Sequence, residues 1–425
     1  MIKLIALDWI IIAVFFTITI SIGILSARKS AENEEEYFIG GRNMPWYLLG
    51  FSMVATTFST DTPNLVTDLV RRYGVFGNWL WWSMLPTGML TVFLYSKLWR
   101  RAGTVTDLEF YEMRYSGRAA AFLRGFRAVY LGLLFNIMVM ATVSLAAIKI
   151  GAAMLGLTPV ESVIYAMTGT VIFSSIGGFR GVIFSDFVLF ILAMTGAVGA
   201  ACIIVNQPEI GGLSGLASKL QAMDYSSHAN MYSYQNKQDL YEVFLIPILI
   251  IWWSIWYPGA EPGGGGYQVQ RMLAAKNENH AFGATLFFNI SHYAIRPWPW
   301  ILVALCSLVV FPDWNSMRQA IPPEILSDEK IQNDLAYSLM LTKLPAGWIG
   351  LVIASLLGAY MSTISTQLNW GASYLVNDCW KRFIRPGATQ REMVWMGRVF
   401  TVILMILAGI MALMMTNALD SFQIM

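Results

Sequence analysis

The stretch Trp46-Tyr-Leu-Leu-Gly-Phe-Ser-Met-Val-Ala-Thr-Thr-Phe-Ser-Thr-Asp-Thr-Pro-Asn-Leu65 decides how the chain reads. It opens as an apolar helix and turns polar in its middle, from Thr56 to Asn64, with Asp61 and Pro63 inside the polar run. Pro63 lacks a backbone donor and disfavours helix at Thr62, so several carbonyls are freed part-way along a membrane-length segment. Irregular backbone at membrane depth is tolerated only where it is buried or lines a cavity. Freed carbonyls and hydroxyls are hard oxygen ligands and suit a hard cation such as sodium. The same pattern also fits a kinked structural helix whose Ser and Thr side chains bond back to their own carbonyls.

The composition around this segment agrees with a membrane setting. Of 425 residues, 56% are hydrophobic and 13% charged, against about 25% charged in a typical soluble domain. The mean hydropathy is +0.55. These values exclude an ordinary cytosolic enzyme, a disordered chain and a secreted disulfide scaffold. A net charge of +2 leaves no electrostatic footprint for nucleic acid. The 16 Trp suit interfacial belts or rings along a solute path. Cys202, Cys306 and Cys379 lack metal or redox spacing and read as small core residues. His228, His280 and His292 show no H-E-x-x-H pattern, and there is no G-x-S-x-G elbow, so no catalytic residues and no enzyme are expected.

Ten segments meet the span requirement of about 20 mostly apolar residues: 4–25, 44–70, 76–98, 121–155, 159–176, 182–205, 240–257, 281–311, 345–376 and 393–416. The first has too long an apolar run for a signal peptide and is followed at Ala27 by charge, so it reads as a retained helix. With the N-terminus outside, Lys and Arg on the inner side outnumber those on the outer side by about two to one, which sets that orientation. The polar outer loops 206–239 and 312–344 are too short for separate domains. The whole of 1–425 therefore reads as one membrane domain.

Two further spans carry unusual chemistry. In 354–369, Ser362, Ser365, Thr366 and Asn369 recur at helical spacing on one face, with Thr363 beside it. Such a stripe is either a set of oxygen ligands or helix-packing glue. In Trp252-Trp-Ser-Ile-Trp-Tyr-Pro-Gly-Ala-Glu-Pro-Gly-Gly-Gly-Gly-Tyr267, a helix should break at Pro258, and the glycines permit an unusual backbone. No phosphate-loop pattern is present. Trp252, Trp253, Trp256 and Tyr257 form either an interfacial belt or faces for a substrate ring. Intramembrane charges are functional candidates by default. Asp61 sits in the polar break, Asp186 near the inner start of 182–205, and Asp8 at an outer helix end, where an interfacial cap is expected. Arg296, in Ile-Arg-Pro-Trp-Pro-Trp, either contacts substrate or, more simply, pairs with a carboxylate.

Taken together, the segments resemble the sodium:solute symporter family over essentially the whole chain, from Leu7-Asp-Trp9 to Gly397-Arg398. Four stretches carry the resemblance: Ile39-Gly-Gly-Arg-Asn-Met-Pro-Trp46, Gly177-Gly-Phe-Arg-Gly-Val-Ile-Phe-Ser-Asp186, Gln268-Val-Gln-Arg-Met-Leu-Ala-Ala-Lys276 and the 354–369 hydroxyl stripe. The resemblance implies an all-α membrane protein of the leucine-transporter type, with two inverted five-helix repeats preceded by an extra N-terminal helix. Residues 44–205 would be the first repeat and 240–416 an incomplete second one. The broken spans would meet near the bilayer midplane, where such transporters bind solute and ions. Asp420-Ser-Phe-Gln-Ile-Met425 stands where the last core helix should begin, so that helix is expected to be missing and the chain truncated.

By the same resemblance, the main sodium site is made by the carbonyls of Ala55, Phe58 and Ala359 and the hydroxyls of Ser362 and Thr363. A second sodium site uses Asp186 with Ser365 or Thr366, although Ser185 stands where threonine is common. Substrate contacts come from Thr57, Ser59, Asp61, Thr62, Trp253 and Ser254. The inner gate is Tyr267, four residues before Arg271, with Tyr257 as the fallback. The 258–266 stretch departs from the family pattern and bears on gating. The expected function is sodium-coupled import of a small polar organic solute, with a sugar or polyol favoured by the aromatic residues. The expected setting is the plasma membrane, with sodium as coupling ion, no other cofactor, and solute, sodium and lipid as partners. The alternative is a solute-sensing membrane domain of a signalling protein.

Overall fold

The computed structural model describes residues 4–253, 263–321 and 332–415. Among them the regular structure is helical, and the one extended pairing is an isolated bridge between Met44 and Ala275. Six helices are long and apolar enough to cross a membrane: α1 (Ala6–Ser30), α4 (Gly117–Ile150), α5 (Pro159–Val205), α7 (Glu278–Val310), α8 (Trp348–Ile384) and α9 (Gln390–Met414). Between them lie α2 (Trp46–Thr57), α3 (Asp61–Tyr73) and α6 (Gly266–Ala274).

The other expected spans take different forms. Segment 44–70 is two helices, α2 and α3. Segments 159–176 and 182–205 run together as α5 without a loop. Gly178 separates its two arms with φ 54° and ψ −162°, a conformation reserved for glycine. Segment 76–98 is helical in short pieces from Trp79 to Ala102, and the described part of 240–257 is likewise a series of short turns. Local helix propensity reads each stretch correctly as helical but is silent about where tertiary packing bends it.

Helix ends follow local chemistry. Thr158 and Glu161 form a reciprocal capping box at the start of α5, with Pro159 in the first turn. Thr389 accepts from the Glu392 amide at the start of α9. Asp8 does more than cap its own helix. It is 1% exposed, and its Oδ1 accepts from the Gly347 and Gly350 amides, both at 2.8 Å, tying α1 to the start of α8.

Burial sorts the helices by role. In the apolar window of α1 only 22% of residues are buried. The helix packs through a strip that includes Asp8, Ile12, Phe15, Thr19 and Gly23, and the exposed Thr17 and Ser21 bond back to carbonyls of their own helix within an otherwise apolar outer surface. A helix apolar all round with so narrow a packed strip is suited to lipid contact. In α8 the figure is 89%, so α8 is the central helix, and its polar stripe lies inside protein. The long α5 packs along α8, α1 and α2. The Met44 amide donates to the Ala274 carbonyl at 3.1 Å and the Lys276 amide to the Met44 carbonyl at 2.9 Å, which joins the start of α2 to the end of α6.

Candidate functional site

The break in the first polar segment comes before Pro63. Helix α2 ends at Thr57, Phe58 leaves the helical region at φ −90° and ψ 76°, and α3 starts at Asp61. Thr62 is helical, and Pro63 occupies the first turn of α3, where a missing donor costs no hydrogen bond. The expectation that Pro63 keeps Thr62 out of a helix is therefore corrected. Pro63 starts the second helix instead of breaking the first.

The carbonyls freed at the end of α2 are taken by side chains from distant helices. The Thr363 hydroxyl of α8 donates to the Thr56 carbonyl at 2.7 Å. Arg296 of α7 donates Nη1 to the Thr57 carbonyl and, at 2.9 Å, to the Thr57 hydroxyl. A cation at a helix C-terminus is favourable through the helix dipole. Its guanidinium also lies over the Trp300 ring, 5.4 Å from the centroid. The simpler expectation for Arg296, a carboxylate partner, is thus replaced: among the described residues its hydrogen bonds go to Thr57 and His292.

A cavity of about 140 Å³ opens at this break. Thr57, Ser59, Asp61 and Thr62 line it together with Tyr267 and Thr363, so six of the residues singled out in the sequence converge on one space. Ser59 Oγ and Asp61 Oδ1 are buried and meet no hydrogen-bond partner among the described residues. Buried polar atoms without partners are uncommon and call for a ligand or water. Ser254 and Tyr257 lie outside the described residues, as does the side chain of Trp253.

Arg296, whose other expected role was contact with substrate, lines the cavity as well. The rest of the wall comes from residues with no expected role at the site. It includes Trp81, His292, Tyr293 and Gln367. His292 Nδ1 lies 3.1 Å from the Thr57 hydroxyl, and Trp81 stacks on Tyr293 with centroids 5.9 Å apart and planes 17° apart. The signal for His292 was present: it precedes Arg296 by four residues, hence shares its helix face.

The hydroxyl stripe of α8 divides between two environments. Thr363 faces the end of α2, where its hydroxyl meets the Thr56 carbonyl, and Ala359 lies one turn earlier on α8. Ser362 faces the other way and donates to Asp186 Oδ1 at 2.6 Å. Ser365 donates to the Ser362 carbonyl of its own helix at 3.1 Å. Thr366 lies 3.0 Å from the Thr56 hydroxyl and accepts from Arg271 at 2.7 Å. Tyr267, 2% exposed, sits at the start of α6 against the cavity.

The sequence profile of the sodium:solute symporter family matches residues 37–422. A sodium/mannose cotransporter, SLC5A10 of Bos taurus, is 25% identical over 95% of this chain and 68% of its own length. A sodium/glucose cotransporter of Vibrio parahaemolyticus is 22% identical over 98% of this chain and 76% of its own. For sodium/glucose cotransporter 4 of Danio rerio the identity is 24%, over 95% of this chain and 62% of that protein. A solved sodium-coupled sialic acid symporter, substrate-bound and outward-open, superposes with a TM-score of 0.77 at 18% identity, covering 96% of this chain and 82% of that one. That likeness is one of fold.

Proposed function

The chain belongs to the sodium:solute symporter family, whose members are membrane transporters and not enzymes, and from that membership we propose that it imports a small hydroxylated ring, a sugar or polyol, on an inward sodium gradient. The carrying observation is the 140 Å³ cavity at the break between α2 and α3. A space of about 150 Å³ admits a six-membered ring. Its wall offers hydroxyls, the Asp61 carboxylate and the Gln367 amide beside the Trp81 and Tyr293 rings. Hydroxyl hydrogen bonds fix such a ring and aromatic faces cover it. The curated relatives named for mannose and glucose fit the same class of solute.

Sodium binds beside this cavity, at the Ala55, Phe58 and Ala359 carbonyls and the Thr363 hydroxyl, and the Ser362 hydroxyl completes the cage only by leaving Asp186. The Thr363 contact to the Thr56 carbonyl supports it, because it brings α8 onto the freed end of α2. Residues 44–205 and 240–416 act as inverted repeats within one transporter domain, and the Met44–Ala275 bridge joins corresponding helices of the two. Tyr267 closes the cavity from the inner side. The protein lies in the plasma membrane with its N-terminus outside.

The test is uptake of labelled glucose, mannose and myo-inositol by proteoliposomes holding the full chain, with and without an inward sodium gradient. Sodium-dependent uptake of at least one is expected, with Asp61→Asn lowering it about tenfold or more. No gradient-dependent uptake of any of the three overturns the reading. In oriented cells, an impermeant thiol reagent should label Asp224→Cys from outside and spare Gly387→Cys; the reverse pattern overturns the orientation.

A further inference from the structure

A second cavity, of about 570 Å³, lies at the end of the bundle where α1, α5 and α8 begin and α4 ends. Its walls are mainly apolar, with Ile12 and Phe16 of α1, Ile150 of α4, Met154 just beyond it, and Ile353 and Leu356 of α8. Four side-chain hydroxyls also line it. Thr60 donates to the Val143 carbonyl at 3.2 Å, and the Tyr360 hydroxyl lies 3.1 Å from Ser144 Oγ. Tyr165 is 65% exposed and stands at the rim with Trp9, which is 59% exposed. Ser162, in the first turn of α5, is 5% exposed, and its Oγ has no hydrogen-bond partner among the described residues.

A buried hydroxyl without a partner is uncommon and calls for an acceptor from outside the chain. Water suits the space poorly, because it needs about two to four polar partners and these walls leave one hydroxyl unengaged inside. All four wall helices are long and apolar enough to cross a membrane, and the Trp9 rim belongs to the lipid-facing side of α1. The mouth is therefore continuous with lipid. Tryptophan and tyrosine at a rim mark the headgroup level, which places Ser162 near the ester groups and the apolar walls among the chains. At roughly 150 Å³ for a bound six-carbon ring, the cavity holds about 23 carbons, which admits an acyl chain of about 18 and not a sterol of about 27. The far end reaches Thr60, whose neighbours Ser59 and Asp61 line the solute cavity, as Val143 does. The two cavities back onto each other at the break.

We propose that this second cavity binds one acyl chain of a membrane glycerolipid, with the ester carbonyl accepting from the Ser162 hydroxyl and the hydrocarbon packed behind the break between α2 and α3. The site is independent of which solute or ion the chain carries.

The test is photolabelling in liposomes that hold the full chain and a phosphatidylcholine with a diazirine on one acyl chain, with labelled residues mapped by peptide mass spectrometry. Any lipid labels exposed residues of α1 such as Ile10 and Ile24; a chain in the cavity also labels the buried Ile12, Met154 and Tyr360. Ser162→Ala leaves the space intact and should lower the buried labelling about two- to tenfold, the worth of one hydrogen bond. Gly151 has helical backbone, and a side chain there presses on Ser162 Oγ, so Gly151→Phe should remove the labels from Met154 and Tyr360 and keep those on Ile10 and Ile24. Wild-type labels confined to the exposed residues overturn the proposal, and this outcome requires no variant to fold. So does labelling of the buried wall by a diazirine sterol and not by the diazirine lipid.

Discussion

Thr363 and Ser362 are neighbours on α8, yet they serve different partners. Consecutive residues on a helix point about 100° apart, so one hydroxyl reaches the α2 carbonyl end while the other reaches Asp186. Replacing both by Ala should raise the half-saturating sodium concentration of uptake at least tenfold, about 1.4 kcal/mol or more. An unchanged sodium dependence would show that the ion sits elsewhere. The spacing of Ser362, Thr363, Ser365 and Thr366 was legible as a stripe. Which hydroxyl faced which neighbour was not, because partners 95 to 310 positions away leave no trace in local spacing. Arg296 illustrates the same limit. Its cost in the membrane marked it as important, but its partner, the end of a helix, is a backbone group that no residue type announces.

Helix α5 carries the clearest element-level device. Gly178, at φ 54° and ψ −162°, turns one 47-residue helical element into two arms. A Cβ there would lie 3.0 Å from Ser30 Cβ and 3.1 Å from the Tyr37 ring. Gly178→Ala should cost about 1–3 kcal/mol, from the backbone region alone, seen as a lower thermal midpoint in detergent micelles. An unaltered midpoint would mean that the arms join in another conformation. The apolar content of both arms was readable; the absence of a loop between them was not, because Gly177-Gly178 reads equally as a turn or as a packing contact. Helix α2 gives the converse case. Its interruption is visible in the polar run, but the proline inside that run is not its cause. Polar side chains from α7 and α8 hold the freed carbonyls, and the proline merely suits the first turn of the helix that follows.

Over the whole molecule, ion pairs on the proposed inner side hold the segment before α4 to the far end of α8. Glu112, on the short helix Glu109–Arg114, accepts from Arg382 at 2.8 and 2.9 Å and from Arg124 at 2.8 Å. Arg124 reaches on to Asp378 at 2.6 Å. Hydrogen bonds from Arg382, then Arg124, hold the Glu112 carboxyl at about 2, below its ordinary 4.5. A carboxyl lowered by folding stabilises the fold above its ordinary value, and that contribution is lost as pH falls from about 4.5 toward 2. The thermal midpoint should therefore fall through that window, and Glu112→Gln should flatten this part of the profile while lowering the midpoint at neutral pH. Equal slopes in wild type and variant would remove Glu112 from the latch. At this scale the membrane setting, the helical class and the family are legible in the chain alone, because they follow from apolar length, charge scarcity and motif order. Tertiary structure alone decided that the broken helix is capped by Arg296 and Thr363, that His292 and Trp81 complete the cavity, and that Arg271 stands beside Asp186. Each of those is a contact between residues far apart in the chain, and in a low-dielectric interior such contacts decide which charges and hydroxyls remain available to a ligand.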